Sequence, residues 1–355
     1  MKTIKILIFV FAGLLMISLF WNCTGNFEEI NTNELVLTEL DASTQGNLFA
    51  HVQYRGFFIN YHQTAQNLFA DHYCQYFANT QNMFSSDRYI LVGGWLNGAW
   101  RSFYGAIPNN LGELLDAIDP VENPGSETLW AVAQIYRVII YERIANYWGP
   151  IPYSQVNNGE ASAPYDSESD MYHSFFTTMD DTLAILNQNK GGNAFGTNDQ
   201  IYSGDIDSWI KFANTLRLRL AMRVSDVEPS LAQSEAEKAV AAGVMEALSD
   251  NAEFQCTPNS YHNMPRMIPW NEFRMSATME SVLRGYEDPR IGIYFAPCVD
   301  QESGEFRGLR NGYEVVDLAA EELFYNKLSR MGPKWSASVD QQNFITWEIL
   351  MCPEA

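Results

Sequence analysis

Histidine and cysteine are scarce in this 355-residue sequence, with five of each. The histidines have no ligand-like spacing and no two cysteines form a C-x-x-C pair, so neither a zinc site nor a redox motif is indicated. The sequence also lacks a G-x-S-x-G elbow, an H-E-x-x-H pair, a P-loop and a G-x-G-x-x-G loop after a strand. We therefore predict no metal site, no cofactor and no catalytic residue.

Positive charge is also in short supply, because 22 lysines and arginines face 43 aspartates and glutamates, for a net charge of −21. Such a chain repels phosphate backbones and anionic headgroups, which makes nucleic acid an unsuitable partner. Aromatic residues make up 14% of the chain and charged residues only 18%. Many rings must therefore lie in a large core or on an exposed binding surface.

Long hydrophobic runs are confined to the N-terminus, where Lys2 and Lys5 precede 16 uncharged residues, 6–21. This run is short for a membrane span and is typical of a secretory signal. Cys23 follows at the position where a lipoprotein signal peptidase cuts and a lipid is attached. We predict a signal peptide over residues 1–22 and a mature domain over 23–355. Lipoprotein signals usually have a small residue immediately before the cysteine, whereas this chain has Phe20, Trp21 and Asn22 there. An ordinary secreted protein is therefore the alternative. The other cysteines, Cys74, Cys256, Cys298 and Cys352, are compatible with two disulfides or with buried thiols.

Helical periodicity dominates the middle of the chain. The pattern predicts a buried helix from Glu127 to Trp148, ended by Gly149-Pro150. Three more helices are predicted: one from near Ser167 to Gly191-Gly192, one from Ser208 to Val224, and one with a capping box at Ser234 and Glu237 that runs to Leu248. Because helix follows helix, we predict an all-α fold of paired antiparallel helices. Residues 251–310 break into an irregular segment of the kind that carries binding surfaces.

One segment of the chain carries a specific resemblance. Residues 201–205 read I-Y-S-G-D, and residues 209–223 read W-I-K-F-A-N-T-L-R-L-R-L-A-M-R. Together they resemble the signature helix of the SusD/RagB family of outer-membrane lipoproteins, and residues 26–33, 147–153, 164–167 and 288–290 also match it. Pro150 stands where the family turn usually has an aspartate.

The resemblance implies a SusD-like fold with TPR-like helical pairs, anchored through Cys23 to the outer membrane and exposed at the cell surface. It implies capture of glycans or peptides and their delivery to a TonB-dependent transporter of the SusC type. Family members are commonly longer, and the stretch 344–351 reads like the start of a further helix. We therefore expect the chain to lack C-terminal helices, with a natural end after Ala355 as the alternative.

The predicted ligand-binding residues lie early in the chain, beside Gly93, Gly94 and Gly98. Flat aromatic faces stack on the C–H faces of sugars, while arginine and asparagine donate hydrogen bonds to hydroxyl groups. Each of these rings could equally be packed in the core. The candidates are Tyr73, Tyr76, Arg88, Trp95, Asn97 and Trp100.

A secreted glycan hydrolase and a purely structural assembly component are the alternatives to a binding protein. A secreted glycan hydrolase needs two facing carboxyl groups, and the acidic pairs 28–29, 180–181 and 321–322 are better explained as solvated charge. Asp71-His72 is the only adjacent acid and imidazole, and sequence neighbours usually point in different directions. A purely structural assembly component is the third possibility. For Lys211, Arg217, Arg219 and Arg223, internal ion pairing is favoured over ligand binding.

Overall fold

The computed structural model describes residues 42–57, 62–160, 162–257, 262–300, 304–320, 325–335 and 346–350. The predicted signal peptide, Cys23, the matched stretch 26–33, the acidic pair 321–322 and Cys352 lie outside these ranges. Helices dominate the described residues and confirm the predicted all-α class. Their bounds are α1 Ala42–Phe57, α2 Asp71–Tyr73, α3 Gly93–Tyr104, α4 Ile107–Ala117, α5 Glu127–Trp148, α6 Glu168–Gln188, α7 Ile206–Arg223, α8 Pro229–Ala242, α9 Met264–Met267, α10 Ala277–Gly285, α11 Ile291–Tyr294 and α12 Val315–Ala320.

Helices α5 to α8 pack on one another in chain order, each against the next, as TPR-like pairs do. Helix α5 is buried on all sides over most of its length, because its apolar residues cover both faces. It ends at Gly149, whose φ of +74° favours glycine. Helix α6 begins after Ser167, whose Oγ accepts a hydrogen bond from the Asp170 amide at 3.1 Å. These two boundaries agree with the sequence prediction.

Helix α8 starts earlier than the sequence predicts. The helix begins at Pro229, five residues before Ser234, so the predicted capping box at Ser234 and Glu237 lies inside the helix. Proline at the first helical position fixes φ and gives up an amide that would have no partner there, and so supplies the start signal instead. The helix ends at Ala242, where Gly243 has a φ of +99°, and not at Leu248.

The turn that precedes α7 is organised by the buried carboxylate of Asp199. Its oxygens accept hydrogen bonds from the Trp209 indole at 2.8 Å, from the Gly204 amide at 2.9 Å and from the Gln53 side chain of α1 at 2.8 Å. Asp205 then caps α7 by accepting a hydrogen bond from the Ser208 amide at 2.9 Å. The tyrosine, glycine and tryptophan of the signature segment are thus held around one buried acid, and its aspartate caps the helix that follows.

Two short antiparallel ribbons complete the described fold. Strand β1, Phe77–Asn79, pairs with β3, Phe273–Met275, and so brings the early and late parts of the chain together. Strand β2, Ala252–Gln255, pairs with β4, Thr346–Leu350. The expected helix at 344–351 is therefore wrong over 346–350, where threonine, tryptophan and isoleucine favour a strand once an edge is available for pairing.

Among the described residues, the buried apolar side chains form one large core and two smaller ones. The large core collects α1 and α3 to α8. The second core, defined by residues such as Leu68, Phe84, Phe273 and Met331, joins the segment before α3 to the irregular late segment. Among the described helices, none is long and apolar enough to cross a membrane.

Candidate functional site

The exposed side of α3 is formed by Gly94, Asn97, Gly98 and Arg101, which we call the glycine face. These positions recur at helical spacing and lie opposite the buried Ala99 and Phe103. A Cβ atom added at Gly94 or Gly98 would meet no atom within 4 Å, and the same holds for Gly93. Glycine in the middle of a helix, as at Gly98, costs about 0.5–1 kcal/mol relative to alanine, whereas Gly94 is the second residue of α3. Packing does not explain these glycines, so the open strip of backbone needs another reason.

Trp95 and Trp100 border the glycine face on opposite sides. They are five residues apart, which places them about 140° from each other around the helix. Trp95 packs on the second core, with its ring 6.1 Å from that of Phe84. Trp100 packs on the large core, 4.4 Å from Tyr104. The structure therefore divides the predicted platform between two groups of rings.

Trp270 is an exposed ring that the sequence analysis missed. Its indole lies parallel to the Phe84 ring, with a centroid distance of 5.8 Å and an interplanar angle of 6°, and 42% of the residue is exposed. We call Trp95, Phe84 and Trp270 the aromatic stack. Trp270 lies in the irregular segment predicted to carry a binding surface, but its partner is nearly 190 residues away in sequence, and no local pattern predicts such a contact.

Tyr73 packs against another tyrosine, Tyr89, and Tyr76 follows Tyr73 by three residues in the chain. The rings of Tyr73 and Tyr89 meet edge to face at 5.1 Å, and the Gln75 side chain donates a hydrogen bond to the Tyr89 hydroxyl at 2.6 Å. Gln75 and Tyr89 both have a φ of +58°, a conformation that costs free energy for residues other than glycine. Tyr76 and Tyr89 remain about half exposed. Strained backbone beside exposed rings is common in binding sites.

The side chains of Arg88 and Asn97 have different surroundings. Arg88 is mostly buried, donates a hydrogen bond to the Asn82 carbonyl at 2.8 Å and pairs with Glu314 at 3.3 Å. Asn97 is exposed on the glycine face. Arg88 thus ties the segment before α3 to the late part of the chain, whereas Asn97 has its amide open to solvent.

Asp71 and His72 are buried beneath this region. Both Asp71 oxygens accept hydrogen bonds from amide side chains, Gln66 at 2.6 Å and Asn67 at 2.9 Å. Burial raises the pKa of Asp71 to about 6, and the two hydrogen bonds oppose that rise. Burial lowers the pKa of His72 to about 4. The pair supports the helix that carries Tyr73.

Trp100 belongs to a separate ring group with Tyr104, Trp148 and the exposed Tyr165. Its ring is nearly parallel to that of Tyr165, at 6.1 Å and 13°. Next to Tyr165, the Asp166 carboxylate accepts hydrogen bonds from the Tyr153 and Ser154 amides at 2.9 and 3.0 Å. Burial raises the pKa of Asp166, but these bonds and the Ser154 hydroxyl outweigh it and lower the pKa. Asp166 thus brings a carboxylate to the turn that has Pro150 in place of the family's aspartate.

The basic residues of α7 are largely paired within the protein, as expected. Arg217 is 2% exposed and pairs with Glu235 at 2.8 Å and with Asp180. Arg219 pairs with the buried Glu142 at 3.3 Å, and Lys211 with Asp250 at 2.8 Å. Arg223 donates a hydrogen bond to Asn146. These contacts hold neighbouring helices together.

Cysteine and metal-ligand chemistry is limited in the part of the chain that the structure describes. Cys74, Cys256 and Cys298 are free thiols, and Cys74 is exposed rather than buried. No group of three or more histidine, cysteine, aspartate or glutamate side chains could hold a metal ion within these residues. Burial raises the pKa of the Cys256 thiol to about 12, which makes it an unreactive thiol.

Solved structures of other proteins share the fold. A chitin-binding protein matches with a TM-score of 0.76 at 24% identity, covering 86% of this chain and 67% of its own. A chitin-binding SusD homologue from Flavobacterium johnsoniae matches with a TM-score of 0.73 at 29% identity, covering 88% and 63%. A SusD-like protein from Bacteroides thetaiotaomicron matches with a TM-score of 0.72, also at 29% identity and with the same coverage. The chain thus spans about two thirds of the length of these structures.

The sequence comparisons assign the family. No curated protein matches the chain. The model of the SusD-like family, described as SusD and RagB outer-membrane lipoproteins, matches residues 26–345. That span includes the signature segment around Asp199, the whole helical stack and the glycine face. The chain therefore belongs to the SusD/RagB family of outer-membrane lipoproteins.

Proposed function

We propose that this protein captures an oligosaccharide at the cell surface, on the glycine face and the aromatic stack, and passes it to a TonB-dependent transporter of the SusC type. The observation that carries this proposal is the glycine face itself. Gly98 weakens α3 from within, and neither Gly94 nor Gly98 fills a tight space. A helix keeps such glycines where a partner must approach the backbone closely.

The side chains around the glycine face suit a sugar chain. The half-exposed Trp95 and the exposed Trp270 offer flat apolar faces to the C–H faces of pyranose rings. The exposed Asn97 and Arg101 can donate hydrogen bonds to hydroxyl groups. Tyr73, Tyr76 and Trp100 extend the aromatic surface on either side. These residues bind through shape and hydrogen bonds, with no reacting group required.

A neutral glycan fits the charge of the protein better than an anionic one. The net charge of −21 repels polyanions at long range. Two of the structural relatives described above bind chitin, which makes chitin oligomers the first probe to use. Peptides are the second class of oligomeric nutrient that the family resemblance suggests.

Binding without turnover is favoured over glycan hydrolysis. Glycosidases need two carboxyl groups on opposite sides of the scissile bond. Near the site, Glu272 accepts hydrogen bonds from Thr80 at 2.6 Å and Gln81 at 3.2 Å, and Asp87 from the Asn79 amide at 3.2 Å. These carboxylates are occupied by protein donors, which favours a structural role for them.

Surface attachment through a lipid on Cys23, and the SusC-type partner, follow from the family and the N-terminal pattern. Membership of a family of outer-membrane lipoproteins supports the anchor. Mass spectrometry of the protein purified from its own membranes should find a diacylglyceryl group on Cys23. A copurifying TonB-dependent transporter is expected in mild detergent, and the absence of both would contradict this part of the proposal.

Calorimetry with chitohexaose tests the binding proposal. Loss of a central aromatic contact costs about 2 kcal/mol or more, or roughly thirtyfold in affinity. We expect this loss in Trp95→Ala and Trp270→Ala, with Tyr286→Ala as control because that ring is 83% exposed outside the site. Circular dichroism verifies that each variant is folded. Equal affinities in all variants would overturn the proposed site.

Incubation of the wild-type protein with chitohexaose separates binding from hydrolysis. Chromatography of the ligand after prolonged incubation should show intact chitohexaose. Shortened products would establish a hydrolase instead. A purely structural component predicts that no glycan or peptide in a broad panel binds, and that Trp95→Ala and Trp100→Ala leave nutrient-dependent growth unchanged.

A further inference from the structure

A pocket of about 270 Å³ opens beside Trp270. Two of its lining residues, Pro269 and Asn271, flank Trp270 in the chain, and a third, Phe273, lies 6.3 Å from the indole. Phe84 contacts both Trp270 and Phe273, so the pocket wall and the aromatic stack share one packed unit. The lining residues are Ile268, Pro269, Asn271, Phe273, Arg330 and Met331.

The walls of this pocket combine apolar side chains with polar groups. Phe273 and Met331 are buried members of the second core, exposed by 2% and 7% respectively. Ile268 packs against the same core. Four of the six lining residues are apolar, but polar atoms make up more than half of the exposed lining, so a guest fits best if it has both an apolar part and hydrogen-bonding groups.

The two polar lining residues, Asn271 and Arg330, both carry hydrogen-bond donors in their side chains. The backbone carbonyl of Asn271 accepts a hydrogen bond from the Arg274 guanidinium at 2.8 Å, and the side-chain Oδ1 of Asn271 lies 3.4 Å from the same guanidinium. The side-chain NH₂ group of Asn271 is then the part that can donate to a ligand. The Arg330 backbone carbonyl accepts a hydrogen bond from the Ala296 amide at 2.8 Å, while its side chain is exposed. Within the described ranges, the Arg330 guanidinium has no ion-pair partner.

We infer that this pocket takes the N-acyl substituent of an amino sugar whose ring lies on Trp270. An acetamido group has an apolar methyl, which suits Phe273 and Met331, and a carbonyl oxygen, which accepts hydrogen bonds from Arg330 and Asn271. The volume is just below the range of about 300–1,000 Å³ usual for small-molecule sites. The pocket therefore has room for the substituent of one sugar residue but not for a sugar chain. This inference rests on the proposed function and adds the chemical group that is selected.

A carboxylate is the other group that a guanidinium attracts, and two observations speak against it here. Phe273 and Met331 form part of the pocket wall, and the protein carries a net charge of −21. An acidic sugar would have to lose water against Phe273 and Met331 and approach through a repulsive field. The test therefore includes an anionic oligosaccharide.

Chitohexaose and cellohexaose test the inference, because they share a β-1,4-linked backbone and differ at the 2-acetamido group. Calorimetry should show at least tenfold tighter binding of chitohexaose by the wild-type protein. Arg330→Ala should weaken chitohexaose about tenfold, as expected for one charge-assisted hydrogen bond, and leave cellohexaose within twofold. Asn271→Gly keeps the left-handed backbone, whose φ is +57°, and should weaken chitohexaose about fivefold. Arg310→Ala, an exposed arginine outside the pocket, is the control for charge.

Three outcomes would overturn the inference, and they are distinguishable. If both glycans bind equally and Trp270→Ala weakens both, the glycan site stands and the pocket does not select the acyl group. If hexagalacturonate binds more tightly than chitohexaose and loses its affinity in Arg330→Ala, the pocket is an anion site. If no oligosaccharide binds to the wild-type protein, the proposed function fails and the pocket inference fails with it.

Discussion

The helical stack α5 to α8 and the ligand-side region, residues 62–104 with 264–335, solve different physical problems. In the stack, helices begin and end at residues suited to those positions, such as Ser167 and Gly149. Left-handed backbone outside glycine occurs in both regions, at Asn157, Phe195 and Ser203 between helices of the stack and at Gln75, Tyr89 and Asn271 in the ligand-side region. In the ligand-side region it lies beside exposed rings such as those of Tyr76, Tyr89 and Trp270. A regular, well-packed part of the molecule can supply the free energy that a strained and open face lacks.

Buried polar groups show the same contrast. In the stack, Arg217 and Asp199 have several charged or hydrogen-bonding partners each. In the ligand-side region, Asp71 is buried with neutral amides as its hydrogen-bond donors, and its pKa rises. The stack should therefore carry more of the stability, and the ligand-side region more of the pH sensitivity. Substitutions in the stack and in the ligand-side region test these two expectations separately.

Asp199→Ala should have the largest effect, because it removes the acceptor for the Trp209 indole, the Gly204 amide and the Gln53 side chain at once. Several buried donors without an acceptor should lower the free energy of unfolding by roughly 3–5 kcal/mol. Urea denaturation measures this. Asp181→Ala, an exposed acid on α6, is the control and should change it by less than about 0.5 kcal/mol. A loss below about 1 kcal/mol in Asp199→Ala would show that this turn does not hold the stack.

The stack could be predicted from sequence and the site only in part, for one physical reason. Helix ends depend on local signals such as Gly149-Pro150 and Ser167, which periodicity and capping rules detect. The one wrong start, at Ser234, arose because a capping pattern can also occur inside a helix. The Phe84–Trp270 stack and the 77–79 pairing with 273–275 join distant residues, and nothing local encodes them.

The two sides of α3 show which features of the site local sequence predicts and which depend on tertiary contacts. Trp95, Asn97 and Trp100 were found because rings and amides beside glycines are visible in the sequence. Their separation into two groups depends on which core lies on each side of the helix. The strand at 346–350 differs from the expected helix for the same reason, since β2 supplies its edge.

The pH dependence of the free energy of unfolding should reveal the buried Asp71 and His72 of the ligand-side region. We expect this effect to be smaller than that of Asp199→Ala. Unfolded aspartate has a pKa of about 4, and folded Asp71 about 6, so Asp71 lowers stability as pH rises through this window. Unfolded histidine has a pKa of about 6.5, and folded His72 about 4, so His72 lowers stability as pH falls through nearly the same window. In the wild-type protein the two contributions oppose each other.

Single substitutions should separate them. His72→Phe, whose ring would lie among Phe77 and Phe273, should gain roughly 2–3 kcal/mol relative to the wild type as pH falls from 6.5 to 4. Asp71→Asn should instead gain relative to the wild type as pH rises from 4 to 6, less any cost from its altered hydrogen bonds. Urea denaturation at half-unit pH steps gives both differences. Parallel pH profiles for all three proteins would contradict the assignment.

Gly98→Ala should have the smallest effect on stability and the most specific effect on function. The added methyl group meets nothing within 4 Å and removes backbone freedom from the unfolded chain, so the free energy of unfolding should rise by about 0.5–1 kcal/mol. If the sugar chain lies on the backbone of the glycine face, the same methyl group should weaken chitohexaose binding about threefold to tenfold. Ser234→Ala, on the exposed side of α8, is the matched control, since it also improves helix propensity but lies outside the site. A variant that is more stable and binds as tightly as the wild type would mean that the ligand does not approach Gly98, and the reason for glycine in this helix would have to be sought elsewhere.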